Sequence, residues 1–289
     1  MDQYLKQTPY SDPGDALDLG GLPRDPGQLA RVVRDLIIHR GEGPRFAYAI
    51  PEERVHEDAE SRYAARLLRI LAERGDAPLT ERRAPAERFV GTCRDFALLH
   101  CSLLRTTGTA ARLRCGFARY FDAYYADHWV TEYRLPDGSW RLADPQVHHE
   151  YDIDFDPMDV PRDQFLVATD AWRACREGGA DPRRFGVFDL NGIEGLSYHG
   201  LWFVRADVLR DLAALNGVEL LPWDAWGPEI LDDAALDAEE LALIDSVAAA
   251  GGDDDELRRL YRDPRLTVPD EIVSYTTYGG VRKVTLGRT

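Results

Sequence analysis

The run Gly91-Thr92-Cys93-Arg94-Asp95-Phe96-Ala97-Leu98-Leu99-His100-Cys101-Ser102-Leu103-Leu104 passes from a short loop into a helix that is apolar on nearly every side. A helix of that kind belongs in the middle of a domain, and Thr106-Thr107-Gly108 closes it. Cys93 stands at its start. There the unpaired backbone N–H groups and the positive end of the helix dipole favour thiolate, the nucleophilic form of a cysteine. The same N–H groups suit an oxyanion on an attacked carbonyl. Gly91 lets the loop backbone pass close to a substrate. By position alone a lone cysteine is more often a small packing residue, so Cys93 needs partners before it signifies chemistry.

The partners lie downstream. Residues 111–121, 128–135 and 139–144 are β-branched and aromatic enough to pair as strands, and residues 135–139 form a hairpin connection. A helix followed by three strands predicts an α+β domain with a small antiparallel sheet. A two-residue loop sets Asp144 opposite Thr131, facing away from His128. A three-residue loop, Pro136-Asp137-Gly138, sets it opposite Val130 on the face of His128, and Gly138 suits the left-handed position such a turn requires. Diagonal neighbours in a sheet are roughly 7–8 Å apart, within side-chain reach. The turn therefore predicts an imidazole held by a carboxylate, an arrangement that fixes the tautomer and supports an imidazolium beside a thiolate.

Outward from this centre, residues 1–25 are rich in Pro, Gly and Asp and read as an arm. A helix opens at Pro26 or Gly27 with Leu29, Val32, Val33, Leu36 and Ile37 inward, and residues 40–44 end it. A second helix spans about 59–74, with Tyr63, Leu67, Leu68, Ile70 and Leu71 inward and Gly75 as its stop. A loop over 76–87 leads to the nucleophile segment. Beyond Gln146, residues 147–162 are loop-like, and helices are expected over 164–177 and 201–215. Residues 229–263 are acidic and helical in propensity, interrupted at 251–255, and 267–284 read as extended. The expected organisation is an N-terminal arm with helices packing on the core (1–87), a catalytic core (88–150) and a mostly helical appendage (151–289).

Of 289 residues, 44% are hydrophobic and 30% charged, as in an ordinary globular protein, and the net charge is −16. Such a chain repels polyanions, so neither nucleic acid nor an anionic membrane is an expected partner. No apolar leader or spanning segment is visible, which makes the cytoplasm the expected location. The cysteines Cys93, Cys101, Cys115 and Cys175 lack paired spacing and read as reduced thiols.

Three motifs in order resemble the transglutaminase-like superfamily in its bacterial form. Gly91-Thr92-Cys93-Arg94-Asp95-Phe96-Ala97, with Leu103-Leu104-Arg105 and Gly108, resembles the nucleophile segment. His128-Trp129-Val130-Thr131-Glu132-Tyr133 resembles the histidine strand, and Trp140-Arg141-Leu142-Ala143-Asp144-Pro145-Gln146 the aspartate strand. The resemblance covers about residues 88–146. It implies a papain-like core, with the cysteine on a central helix packed on a small antiparallel sheet and with helical N- and C-terminal additions. It also implies a Cys93, His128, Asp144 triad. Gln146 departs from the more usual Thr, and neither it nor Trp129 touches the triad.

Weaker signals lie beside these. His148-His149-Glu150 lacks the i, i+4 spacing of a helical metal site and reads as a surface loop. Asp152, Asp154 and Asp156 alternate without the Gly and Glu a calcium loop needs. His100 and Cys101 read as packing, and Asp95 as a cap or ion-pair partner. Gly91, Arg94, Asp95 and Trp129 are the candidate substrate contacts. The expected function is acyl transfer through a Cys93 thioester on a small amide, peptide or amine substrate, with no cofactor and no metal. The alternatives are a non-catalytic substrate- or protein-binding module on the same fold, and a metal-dependent hydrolase.

Overall fold

The helix that opens at Pro26 ends earlier than its apolar periodicity implies. In the computed structural model, which describes residues 3–121, 123–189, 194–276 and 278–287, α1 spans Pro26–Leu36, with Asp25 accepting from the Gln28 N–H at its start. Ile37, expected on the inner face of that helix, instead begins β1 (Ile37–His39). Its partner is β2 (Phe89–Gly91), in parallel register Ile37↔Phe89 to His39↔Gly91. The segment leading into Cys93 was expected to be a loop and is therefore a strand. Where one helix was expected over 59–74, the chain forms two. α2 covers Glu52–Ala59 and α3 covers Ala64–Arg74. The break arises because Tyr63 is extended and the Ala64 N–H donates to Tyr10 O of the arm at 2.7 Å. The first two residues of that arm and the last two of the chain lie outside the described residues.

The chain forms two compact units, Met1–Leu113 with Val130–Val160, and Arg114–Trp129 with Pro161–Thr289. The first is built on α4 (Cys93–Thr106), buried from Cys93 through Arg105. In it the second half of β4 (Tyr125–Arg134) pairs with β5 (Trp140–Ala143) in the antiparallel register Thr131↔Ala143 to Arg134↔Trp140. The turn between them is the three-residue kind. The Leu135 N–H donates to Ser139 O at 2.8 Å, the Gly138 N–H donates to Leu135 O at 2.9 Å, and Gly138 sits at φ +89°. Thr131 Oγ1 donates to Ala97 O at 3.1 Å, seating β4 against α4.

In the second unit, the C-terminal part of β3 (Ala111–Ala118) pairs antiparallel with β6 (Phe165–Val167). A Cβ on Gly116 would lie 2.2 Å from Leu166 O, so only glycine allows this pairing. Phe165 to Val167 were expected to be helical; the helix α5 begins at Ala168 and runs to Arg176. β7 (Phe185–Val187) pairs parallel with the start of β4, and β8 (Tyr198–His199) pairs antiparallel with β7. The strands run in the order β6, β3, β4, β7, β8, a mixed arrangement larger than the three antiparallel strands expected. α6 (Leu201–Leu215) matches its expected span. Then follow β9 (Asp224–Ala225), α7 (Ala238–Ala250), α8 (Asp254–Leu260) and the hairpin of β10 (Glu271–Thr276) and β11 (Gly280–Thr285). Among the described residues no helix is long and apolar enough to cross a membrane.

His100, on α4, is fully buried, with Nε2 3.1 Å from Pro26 O. Burial pushes its pKa from 6.5 down to about 4, so the folded state holds it neutral while an unfolded chain takes up a proton below 6.5. Its contribution to stability is therefore present at neutral pH and is lost as pH falls from 6.5 to 4. The expected loss is about 3 kcal/mol by the lower end of that window. Urea midpoints measured across it should flatten in His100→Gln, which keeps an N–H for Pro26 O. An equally steep variant would place the acid sensitivity elsewhere.

Candidate active site

Thr92 is extended, and Cys93 is the first helical residue of α4. The Asp95 carboxylate reaches back to accept from the Thr92 N–H at 2.8 Å and from Thr92 Oγ1 at 3.1 Å, which ties down the backbone immediately before the thiol. Gly91 supports this directly, because a Cβ there would lie 2.9 Å from Asp95 Oδ2. Arg94 is fully buried and donates to Asp95 Oδ1 at 3.1 Å and to Arg62 O at 2.5 Å. Burial pushes the Asp95 carboxyl up, opposed by the Arg94 charge. Asp95 thus caps and ion-pairs, as its position in the first turn implied.

The strand that feeds this turn is fixed by a residue to which the sequence drew no attention. Asp58, at the end of α2, accepts from Arg74 through both oxygens at 2.7 Å and from the Val90 N–H at 2.8 Å. No spacing signal connects it to residue 90; the link exists only once α2 and α3 have packed beside β2.

Asp144 follows β5 and is fully buried. Its Oδ1 accepts from the Gln146 N–H at 2.9 Å and its own N–H donates to Pro157 O at 2.7 Å. Its charge is felt on α4, where it favours protonation of His100 against the larger effect of burial. One residue beyond the paired stretch, the β4–β5 register sets Asp144 opposite Val130, two residues along β4 from His128. His128 is 2% exposed and ringed by aromatics, with Phe121 edge-on at 4.8 Å, Tyr120 at 6.0 Å and Phe165 at 6.3 Å. Cys93 and Asp144 belong to the first compact unit, and His128 and Trp129 to the second. Trp129, a candidate substrate contact, is fully buried.

None of the four cysteines forms a disulfide, and their surroundings differ. Cys101 and Cys115 are fully buried, and burial with nearby carboxylates holds Cys115 well above the usual thiol range. Burial and the charges of Asp181 and Asp233 push Cys175 up to about 12. Cys93 alone among them occupies a helix start. Two sets of metal-ligating types converge among the described residues, Asp35 with His149 and Glu150, and Cys115 with Asp127 and Asp207. In the second, Arg210 donates to Asp207 Oδ1 at 2.6 and 3.1 Å.

Residues 53–145 match the family model of the transglutaminase-like superfamily, a span that includes Cys93, His128 and Asp144. No curated protein and no solved structure matches the chain. The mixed helices and sheets agree with an α+β fold of that type. Over residues 53–145, about a third of its length, the chain is similar to the transglutaminase-like superfamily.

Proposed function

We propose that the protein is a thiol-dependent acyl-transfer enzyme acting on an amide or peptide bond. The observation that carries this reading is the β4–β5 register, which sets Asp144 opposite Val130 on the strand of His128, within a region whose superfamily is typically enzymatic and cysteine-based. Cys93 Sγ attacks the carbonyl carbon, its proton passes to His128, and the carbonyl electrons move onto oxygen, held by the backbone N–H of Cys93. The tetrahedral species expels the amine, which takes the proton from His128, and leaves a thioester. Water then releases a carboxylic acid, or a second amine forms a new amide. Asp144 orients the imidazole and stabilises its protonated form. Hydrolysis is the default outcome because water is abundant, and the net charge of −16 favours cationic or amine-bearing substrates.

Iodoacetamide labelling followed by peptide mass mapping tests the nucleophile. Cys93 is expected to react with a midpoint at least about one pH unit below the roughly 8.5 of an ordinary thiol, and Cys115 and Cys175 to stay unlabelled at neutral pH. Labelling of Cys93 only near pH 8.5 or above would favour the non-catalytic binding module instead. Intact-mass trapping of an adduct from a library of peptide amides, with Cys93→Ala as control, then identifies the acyl donor.

A further inference from the structure

We propose that Asp35, His149 and Glu150 form a binding site for a divalent transition cation of the zinc class. Asp35 lies on α1, and His149 and Glu150 lie in the loop that follows Asp144, so one ion would bridge segments 114 residues apart in sequence. His149 Nε2 is 3.6 Å from Asp35 Oδ1 and 3.9 Å from Glu150 Oε1, and all the ligand-type atoms lie within 4.8 Å of one another. Separations of this size are too long for hydrogen bonds. They approach the edge of a tetrahedron around a metal with bonds of about 2.0–2.2 Å, which is roughly 3.3–3.6 Å.

A second observation points the same way. Asp35 is only 7% exposed, and its Oδ1 accepts no hydrogen bond although it is shut away from water. A buried carboxylate oxygen that accepts no hydrogen bond is costly, and a bound metal ion would compensate it more fully than the Arg82 charge 3.4 Å away. The imidazole is also set up for ligation. His148 Nδ1 lies 2.9 Å from His149 Nδ1. With His149 Nδ1–H as the donor, the Nε2 lone pair faces the two carboxylates, and the hydrogen bond to His148 fixes the tautomer and ring orientation that ligation needs. Burial lowers the pKa of both rings.

The protein's own cation stands at this place. Arg82 donates to Glu150 Oε1 at 2.7 Å and its Nε lies 3.4 Å from Asp35 Oδ1. Arg31 approaches Asp35 Oδ2 at 3.9 Å. The Arg82 side chain is half exposed, so it can swing out as a metal enters. Two oxygens and one imidazole nitrogen suit zinc, cobalt or nickel with water in the fourth position, and are too few for calcium.

Titration of the full chain with Co²⁺, followed by visible absorption, and with Zn²⁺, followed by calorimetry, tests the site. The expected result is one equivalent bound with a Kd on the order of micromolar and a tetrahedral cobalt spectrum. Asp35→Asn, Glu150→Gln and His149→Gln should each weaken binding by about tenfold or more. Arg82→Ala should tighten it, and Cys115→Ser should leave it unchanged. Metal-free unfolding midpoints check that each variant folds. No saturable binding, binding that survives Asp35→Asn and Glu150→Gln, or binding lost with Cys115→Ser would each overturn the assignment.

Discussion

Asp144→Asn is expected to lower the rate of acyl-enzyme formation by about 10⁴-fold while leaving the fold intact. The exchange is nearly isosteric. The amide oxygen can still accept from the Gln146 N–H, as Asp144 Oδ1 does at 2.9 Å, and the backbone N–H still donates to Pro157 O. What changes is the other terminus. A carboxylate accepts at both oxygens, whereas the amide nitrogen only donates. An imidazole held by that nitrogen must turn its unprotonated nitrogen toward residue 144, and its proton then faces the thiol it should deprotonate. The imidazolium also loses its counter-charge. Rapid-quench intact-mass measurement of the thioester from an activated acyl donor reads the rate, and thermal unfolding reads the fold. A loss under about tenfold with an unchanged melting profile would mean that Asp144 does not orient His128.

In the second unit the largest effect is expected from Asp211→Ala, at about 3–5 kcal/mol of stability. Asp211 on α6 is 1% exposed and binds Arg114 of β3 through both oxygens, at 3.0 and 2.8 Å. Its Oδ1 also accepts from the Cys115 N–H at 2.9 Å. That N–H lies one residue before the stretch of β3 that pairs with β6, Gly116 to Ala118. Removing the carboxylate takes its charge partner Asp211 from a buried guanidinium and an acceptor from a buried strand N–H, and both penalties fall on the variant at once. Urea denaturation gives the loss. The double variant Arg114→Met/Asp211→Leu should recover much of it, because the cost lies in a buried charge that has lost its carboxylate rather than in the missing pair. A single-variant loss below about 1 kcal/mol would show that this ion pair does not anchor β3.

What was legible in the sequence was local or set by one strong constraint. α4 announced itself through an apolar surface on every side, and Gly138 specified a three-residue turn and with it the register that carries Asp144. What was not legible depended on distant partners. Ile37 continued the apolar rhythm of α1, and only Phe89, 52 residues away, makes it a strand. The break before Ala64 comes from Tyr10, and the strand at Phe165–Val167 comes from β3; neither leaves a mark on its own segment. The same holds for His149 and Glu150. Their spacing fits no helical metal motif, and the third member of the cluster, Asp35, is supplied by α1.

The chain passes between its two compact units at residues 113/114, 129/130 and 160/161, with β3 and β4 each divided by a crossing. This has a consequence during synthesis. When residue 160 has emerged, every segment of the first unit has been made, yet β6, β7 and β8 have not. The β6-facing edge of β3 and the β7-facing edge of the first residues of β4 then lack their neighbouring strands. At about 5–20 residues per second, β8 follows within several seconds. During that interval the nascent chain displays open strand edges rich in buried-type residues, the kind of surface that pairs with other chains. The exposed interval makes β3 and the start of β4 a stretch of the newborn protein that a chaperone's cover would protect.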